Sequence, residues 1–385
     1  MGLATRVRHI AGKRKAVAVA ILHRSRHFAL AFIAALGLAF PAPVTAAEGP
    51  QFKVDPFWPK PLPNNWILGQ IGGLTVDAQD HIWINQRPRS LTKDEAGAMQ
   101  NPPQSKCCVA APPIMEFDAA GNFIKGWGGP GEGYDWPEQE HAARLDGKGN
   151  IYLAGNGPKD QMLLKFTTAG KFVKQLGKLA MPLGSKDTNS VGRVADIFYD
   201  APSNELYLAD GYGNHRIMVI DADSFAFKRM WGAYGKPPSD DAAPMFNPAA
   251  EQFANPVHCV KIASDGLVYV CDRSNNRIQV FQKTGAFVKE FTFDKETRQS
   301  GSTWDIALWP DKNNTYLLVA DGTNNMIRVI RRADGQVLST FGTGGRQAGQ
   351  FHWVHVMGID SKGNLYTGEV DTGKRIQKFT SNMTP

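Results

Sequence analysis

The chain has 385 residues, of which 42% are hydrophobic and 21% are charged, with 39 glycines and 24 prolines. This composition excludes an intrinsically disordered chain, and the length allows a domain with a large buried core. The formal net charge is +7, so the position of the basic residues decides whether an anionic partner such as nucleic acid is expected.

Residues 1–47 have the features of a secretory signal peptide. Seven basic residues accompany an apolar run of thirteen, residues 28–40, which is too short to cross a bilayer comfortably. Small residues follow and predict cleavage near Ala46 or Ala47, while the alternative is a membrane anchor. We therefore predict an exported protein, periplasmic or secreted, with no stable membrane insertion after cleavage.

The predicted signal peptide also accounts for the net charge. Residues 48–385 carry 36 basic and 36 acidic side chains, because all seven excess basic residues lie before them. They contain no basic block, so we predict no nucleic-acid partner.

A repeated unit fills the rest of the chain. Each unit has short strands of alternating polarity, a turn rich in Gly, Asn and Asp after the first strand, and an Asn-x-Arg-Ile-like start to the third. The six units cover residues 72–88 with 113–129, 141–177, 194–232, 255–291, 303–342 and 355–379.

This pattern predicts an all-β fold, a six-bladed β-propeller with four-stranded antiparallel blades around a central channel. The sixth unit has only three strands, so its fourth strand should come from residues 51–57 and close the ring. A single domain, residues 48–385, follows from this arrangement. An insertion at about residues 90–112 interrupts the first unit and is expected to overhang one mouth of the channel.

The stretches "NNRIQVF", "GNHRIMVI" and "NNMIRVI", each with Ala-Asp or Cys-Asp upstream, resemble the NHL repeat. The resemblance extends over nearly the whole of residues 48–385 and implies the propeller fold. It does not imply a function, because propellers carry unrelated activities as well as pure binding sites.

The four cysteines are Cys107, Cys108, Cys259 and Cys271, and an exported chain meets an oxidising compartment. Cys259 and Cys271 are equidistant from Asp265 in a hairpin turn, so they could face each other as a disulfide. The adjacent pair permits either a vicinal disulfide or two free thiols. No spacing among the four indicates a metal site.

The first strand of each unit should line the channel. Counting five residues back from the turn gives one leading residue for each unit: Gly72, His141, Ala195, His258, Asp305 and His355. The histidines fall in units two, four and six, so a six-fold ring places them at three-fold spacing and equal depth. Three imidazoles with an open fourth position are typical of a catalytic metal, zinc first, with iron, copper or nickel also suited. The alternative is three independent core histidines, and His352 is a weaker candidate ligand.

A six-bladed NHL-like propeller with channel histidines in three alternate blades resembles peptidyl-α-hydroxyglycine α-amidating lyase. That family cleaves a C-terminal α-hydroxyglycine into a peptide amide and glyoxylate, using a zinc ion held by three histidines. The match to His141, His258 and His355 is positional. The Pro-His setting of the family is echoed in "NPVHCVKI" and "HWVHVMGI" and only loosely in "PEQEHAARL".

Two further residues extend this resemblance. Arg87 in "HIWINQRP" stands where the family has an arginine, and Tyr212 in "ADGYGNHRI" matches its functional tyrosine. The resemblance implies that Tyr212 is the base that takes the substrate hydroxyl proton. The alternatives are a turn-capping role for Tyr212 and a surface ion pair for Arg87, with Arg89 as its nearest competitor.

The chain departs from the family after the third histidine. The family has an acidic residue there that helps hold a calcium ion, whereas this chain has Val356, which puts a calcium site in doubt. Asp305 is the acidic residue among the leading positions. It is a candidate partner for the site or a proton acceptor, and a purely structural aspartate is the alternative.

These features favour an exported, monomeric, zinc-dependent lyase that takes a small hydroxylated amide or a peptide in its channel. A non-catalytic NHL propeller that binds protein or ligand through its mouth loops is the first alternative. The second is a calcium-dependent propeller lactonase. It is disfavoured because such sites need Glu, Asn and Asp at positions that here hold Gly72, Ala195 and the three histidines.

Overall fold

The computed structural model of the chain describes residues 49–182, 184–241, 246–247 and 249–385. The predicted signal peptide lies outside these residues. Within them, regular structure consists of short strands and brief 3₁₀ turns, and no helix is long and apolar enough to cross a membrane.

The first half of the described chain contains three blades, each a four-stranded antiparallel sheet. The strands before and within blade one are β1 (Phe52–Asp55), β2 (Trp66–Ile67), β3 (Gln70–Val76), β4 (Ile82–Arg87), β5 (Val109–Ala110), β6 (Ile114–Phe117) and β7 (Phe123–Trp127). Blade two consists of β8 (Glu140–Leu145), β9 (Asn150–Gly155), β10 (Met162–Thr167) and β11 (Phe172–Gly177). Blade three consists of β12 (Asp196–Asp200), β13 (Glu205–Asp210), β14 (Arg216–Asp221) and β15 (Phe227–Trp231).

The second half contains the other three blades. Blade four consists of β16 (Val257–Ile262), β17 (Val268–Asp272), β18 (Arg277–Phe281) and β19 (Phe287–Thr292). Blade five consists of β20 (Asp305–Leu308), β21 (Tyr316–Asp321), β22 (Met326–Arg331) and β23 (Val337–Phe341). Blade six contains β24 (Val354–Ile359), β25 (Leu365–Glu369) and β26 (Ile376–Ser381). The 3₁₀ turns are Pro88–Ser90, Gly97–Met99, Ala233–Gly235 and Arg273–Asn275. The predicted six-bladed all-β propeller is confirmed.

Burial along each blade explains the sequence pattern. The second strand of blade three, β13, is buried at every position because neighbouring blades cover both of its faces. The outermost strand, β15, exposes Phe227 and Lys228 and buries only Trp231 completely. The core therefore lies between adjacent blades, and apolar runs mark inner strands while alternation marks outer ones.

The ring closes through the start of the described chain. Strand β1 pairs in antiparallel fashion with β26, with Phe52 opposite Ser381 and Asp55 opposite Lys378, and supplies the fourth strand of blade six. The predicted closure by residues 51–57 is confirmed. The first and last strands of the described chain are held together by a ladder of backbone hydrogen bonds and by the side chains of β1.

The insertion in blade one lies between β4 and β6. Strand β5, within it, pairs in parallel with β2, and Glu95 forms an ion pair with Lys374 at 2.6 Å. The insertion thereby contacts the loop between β25 and β26, beside residues that line the channel mouth. Within the insertion, Cys107 is joined to Cys108 as a vicinal disulfide.

The second disulfide joins Cys259 to Cys271 across blade four. The two residues are direct register partners on β16 and β17, and both are fully buried. This is the cross-strand pairing that their spacing allowed. It fastens the innermost strand of blade four one residue after His258.

Candidate metal centre

His141, His258 and His355 converge at the channel axis from β8, β16 and β24. Their ring centroids are 4.7 to 5.4 Å apart, and one ring nitrogen from each lies within 4.8 Å of the others. All three side chains are buried, with exposed fractions of 2% or less. The predicted convergence of histidines from blades two, four and six is present in the structure.

A β-bulge carries each of these histidines. Val257 pairs with Asp272 and Cys259 pairs with Cys271, and these two partners are adjacent residues on β17. His258, between Val257 and Cys259, therefore has no partner in the ladder. The same shift occurs around His355 and around His141. An extra residue in one strand re-aims its side chain, and here it turns each imidazole towards the axis.

Backbone carbonyls of the next blade fix the orientation of each imidazole. Nδ1 of His141 lies 2.8 Å from the Ala195 oxygen. Nδ1 of His258 lies 2.5 Å from the Trp304 oxygen, and Nδ1 of His355 lies 3.0 Å from the Ile71 oxygen. A carbonyl oxygen only accepts, so each Nδ1 carries the hydrogen and each Nε2 keeps its lone pair. Metal-binding histidines typically donate the hydrogen of their other ring nitrogen to a backbone carbonyl or a carboxylate in this way.

Burial and neighbouring positive charge keep these imidazoles neutral. Burial is the main cause that lowers the pKa of His141 well below its usual value, and His355, Arg87 and His258 add to the effect. Burial also lowers the pKa of His258, with Arg273 as the next cause, and that of His355, with Arg87 next. Neutral imidazole is the form that binds a metal ion.

The hydroxyl of Tyr212 completes the cluster. Its oxygen lies 3.2 Å from Nε2 of His141 and 3.1 Å from Nε2 of His258. Both nitrogens present lone pairs, and one hydroxyl hydrogen can serve only one of them. The cluster therefore holds more acceptors than hydrogens, a donor set that suits a cation, and buried imidazoles suit zinc or a related transition metal.

Arg273 approaches Tyr212 from blade four. Its Nη1 donates to the Tyr212 hydroxyl at 3.1 Å, and its guanidinium lies 4.4 Å from the ring centroid of Trp304. Stacking on the indole holds the guanidinium in place beside the phenol oxygen. Arg273 was not among the residues predicted from the sequence. It directly follows Asp272 and so occupies the position that Gly211, the residue before Tyr212, has in the matching unit.

Arg87 ends β4 and faces the same cavity. Its Nε donates to the Glu140 carbonyl at 2.6 Å, Nη1 to Gln70 at 2.7 Å and Nη2 to Asn156 at 3.1 Å. Burial lowers the pKa of Arg87, while Tyr212 is the largest cause that raises it. Arg87 is thus a buried cation held by the inner ends of blades one and two, not a surface ion-pair partner.

A cavity of about 340 Å³ opens over the cluster at one mouth of the channel. Its walls combine two guanidinium groups, one imidazole, the phenol and two indoles, and its lining is Gln70, Arg87, Asn156, Tyr212, Arg273, Trp304, Trp353, His355, Val370 and Asp371. The indoles of Trp304 and Trp353 meet edge to face at 5.2 Å. This aromatic wall was not predicted from the sequence, because its members come from different loops.

Asp305 lies on the other side of the histidines. It is buried and forms an ion pair with Lys261 at 3.1 Å, and no hydrogen bond from it to the histidines is present among the described residues. Burial raises its pKa, and Lys261 opposes this. Its predicted role as proton acceptor stays a prediction.

In blade five, counting back from the turn identified the leading residue one position too late in the chain. Asp305 is opposite Ala320, as Asp196 is opposite Ala209, so the structural counterpart of Ala195 is Trp304. The turn between β20 and β21 is longer than the one between β12 and β13, which shifted the count.

The competing candidates lie elsewhere. His352 bonds to Asp371 at 3.0 Å on the rim of the mouth, outside the histidine cluster. Arg89 is paired with Glu140 at 3.0 Å. Val356, in place of the acidic residue of the family, is partly buried and packs with the apolar cluster of blades one and six.

Comparisons with known proteins agree with this architecture. The model of the NHL repeat matches residues 257–281, which contain β16 to β18 and His258. The chain is a six-bladed β-propeller that carries an NHL repeat. "Streptogramin B lyase structure" aligns with a TM-score of 0.53 over 88% of this chain and 100% of that chain, at 14% identity, which shows a shared fold.

Curated relatives extend along most of the propeller. NHL repeat-containing protein 3 of Mus musculus is 23% identical and covers 86% of this chain and 85% of its own. The Homo sapiens protein of that name is 25% identical, with 85% and 84% covered. Peptidyl-glycine alpha-amidating monooxygenase B of Xenopus laevis is 24% identical over 82% of this chain, which spans 34% of that protein.

Proposed function

We propose that the propeller is a zinc-dependent carbon–nitrogen lyase similar to peptidyl-α-hydroxyglycine α-amidating lyase. The observation that carries the proposal is the convergence of three neutral imidazoles and the Tyr212 hydroxyl at the channel axis. The relationship to peptidyl-glycine alpha-amidating monooxygenase B at 24% identity supports the same reading.

His141, His258 and His355 would hold the metal ion through Nε2, and the mouth cavity leaves a side open to substrate. A bound zinc ion would supply Lewis acidity towards the hydroxyl oxygen of the substrate. A structural zinc site would instead be closed by four protein ligands.

Tyr212 would accept the proton of the substrate hydroxyl. As that O–H bond breaks, the carbonyl of glyoxylate forms and the C–N bond breaks, with its electron pair leaving on the amide nitrogen. The nitrogen takes up a proton, so the products are an amide and glyoxylate. The hydrogen bond from Arg273 stabilises the negative charge on the phenol oxygen that this role requires.

Arg87 and Arg273 give the cavity its charge. An α-hydroxyglycine group carries a carboxylate, and two guanidinium groups beside the open face of the cluster suit an anion. Orientation by this pair would place the hydroxyl near Tyr212 and the acyl portion against the indoles.

We also propose that the protein works outside the cytoplasm. Both cysteine pairs are disulfide-bonded in the structure, and such bonds persist in oxidising compartments. The predicted signal peptide, residues 1–47, supports the same location.

A second candidate is a non-catalytic ligand-binding propeller. The observation that favours it is the near full-length match to NHL repeat-containing protein 3 in both chains. Under this alternative the mouth cavity binds a ligand without turnover.

Metal analysis of the purified protein tests the proposal. We expect close to one zinc ion per chain in the wild type, and its loss in the His141→Ala, His258→Ala and His355→Ala variants. The matched control is His352→Ala, which should retain the metal because His352 lies on the rim. A folded, metal-free wild type would overturn the proposed site.

Glyoxylate release from an N-acyl-α-hydroxyglycine then separates the two candidates. A zinc-loaded wild type that releases glyoxylate supports the lyase. A zinc-loaded wild type with no release above the metal-stripped control favours the binding propeller.

A further inference from the structure

A buried ion cluster lies directly beyond the histidines, away from the mouth. Lys261 on β16 forms ion pairs with Asp196 and with Asp305, and its exposed fraction is 8%. A space of about 10 Å³, enough for about one water molecule, separates this cluster from His258. The cluster joins the innermost strands of blades three, four and five at the axis.

The two aspartates adjoin the residues that orient the histidines. Asp196 directly follows Ala195, whose carbonyl accepts from His141. Asp305 directly follows Trp304, whose carbonyl accepts from His258. A shift of either aspartate therefore moves a carbonyl that fixes the tautomer of one imidazole.

The same carboxylates also hold two of the histidine strands. Asp196 accepts the backbone N–H of Val260 at 3.0 Å, two residues after His258. Asp305 accepts the N–H of Met357 at 2.8 Å, two residues after His355. Four blades are thus joined by three side chains, and the ammonium group of Lys261 pairs with both carboxylates.

We propose that Lys261 is a positioning residue for the metal centre. Its ammonium group anchors Asp196 and Asp305, so that Ala195 and Trp304 present their carbonyls to Nδ1 of His141 and His258. The effect of Lys261 on metal binding rests on the proposed metal site, whereas its effect on the imidazole tautomers can be measured in metal-free protein. Outer hydrogen-bond partners of metal ligands typically change metal affinity by about 10- to 100-fold when they are removed.

The experiment compares Lys261→Met with Lys165→Met. Lys165 is a matched control because it is also buried and ion-paired, with Asp223 at 3.0 Å, but lies on the third strand of blade two. Nitrogen-15 NMR of histidine-labelled, metal-stripped protein reports the tautomer of each imidazole. We expect Nδ1–H in the wild type and in Lys165→Met. In Lys261→Met we expect mixed tautomers with faster Nδ1–H exchange, largest for His141 and His258.

Zinc competition against a chelator gives the second readout. We expect Lys261→Met to bind zinc about 10- to 100-fold more weakly and Lys165→Met to bind as the wild type. Asp305→Asn provides a second variant if Lys261→Met does not fold, because the asparagine still accepts from Met357.

The outcomes are separable. A folded Lys261→Met or Asp305→Asn protein with wild-type tautomers and zinc affinity overturns the positioning role. Equal effects in Lys165→Met also overturn it, since they indicate general destabilisation. A wild type that binds no zinc overturns the proposed function, while the tautomer comparison still decides whether Lys261 positions the histidines.

Discussion

At the level of single residues, the candidate site is defined by which polar atoms remain available to bind a ligand. Nδ1 of each channel histidine is committed to a backbone carbonyl, so its Nε2 is the atom left for a ligand. The Tyr212 hydroxyl contacts two of these nitrogens and the guanidinium of Arg273, and these contacts support its proposed role as the proton acceptor.

Replacing Tyr212 with phenylalanine tests this role. We expect Tyr212→Phe to keep its zinc and lose about 10²- to 10³-fold in kcat for glyoxylate release, because the proton acceptor is removed and the ligands remain. Steady-state kinetics with metal analysis on the same samples is the measurement. Tyr199→Phe is the control, since the Tyr199 hydroxyl bonds to Asn204 in the turn of blade three. Unchanged turnover in Tyr212→Phe would exclude it as the base.

Within each strand, the bulges explain why the three histidines face the channel axis. A regular strand would place its residues alternately towards the two neighbouring blades, and a histidine there would be a core residue. The shifts at His141, His258 and His355 instead direct the side chains to the axis. The repeat spacing predicted their depth, whereas the direction of each side chain depends on the ladder register.

Ion pairs between strands stabilise the blades in a pH-dependent way. Glu205 on β13 accepts two hydrogen bonds from Arg229 on β15, at 2.9 and 2.6 Å. Hydrogen bonds from Arg229 are the largest cause that lowers the pKa of Glu205 to about 2. Because the folded carboxyl has the lower pKa, its stabilisation is complete above the unfolded value near 4.5 and is lost as the pH falls towards 2.

The matching prediction concerns Glu205→Gln. We expect it to lower the free energy of unfolding by about 2 kcal/mol at pH 7, the contribution of hydrogen bonds between charged groups, and by progressively less below pH 4.5. Urea unfolding at several pH values measures this. Glu251→Gln, which breaks an exposed pair with Lys236, should leave the free energy of unfolding nearly unchanged. If the free energies of unfolding of the wild type and Glu205→Gln differed as much at pH 2.5 as at pH 7, the charge of Glu205 would not be the cause of the difference.

At the scale of the whole molecule, the ring depends on the strand that closes it. Phe52 on β1 stacks on Phe341 at 5.1 Å and meets Trp309 edge to face at 6.3 Å. The N-terminal strand is thereby packed against blade five as well as paired within blade six. Opening this contact would free one edge of the circle and expose the core between two blades.

Phe52→Ala measures the strength of the closure. We expect a loss of about 2 kcal/mol in the free energy of unfolding, less than a fully buried phenylalanine gives, because Phe52 is only partly buried. Denaturant unfolding is the measurement. Phe57→Ala is the control, since Phe57 is 75% exposed, and it should change stability by less than about 0.5 kcal/mol. Equal effects of the two substitutions would argue against the closure.

The architecture and the depth of the candidate ligands in the channel could be predicted from the repeat pattern alone. Six repeats of alternating strands can bury their faces only against one another, so their number and the missing sixth-unit strand predicted the closed ring. The positions of His141, His258 and His355 within the repeat followed from the same periodicity, whereas the spacing of Cys259 and Cys271 about Asp265 only allowed the disulfide that the structure shows.

The other residues that contact the histidines could be identified only from the folded structure. Arg273, Trp304 and Trp353 come from separate blades and loops, and a local pattern contains no information about which loop ends face each other across a channel. Asp305 illustrates the reverse case, because it occupies a leading position in the sequence yet pairs with Lys261 below the histidines. Spacing along a strand fixes the depth of a side chain, whereas its contacts depend on bulges and on turn lengths in neighbouring blades.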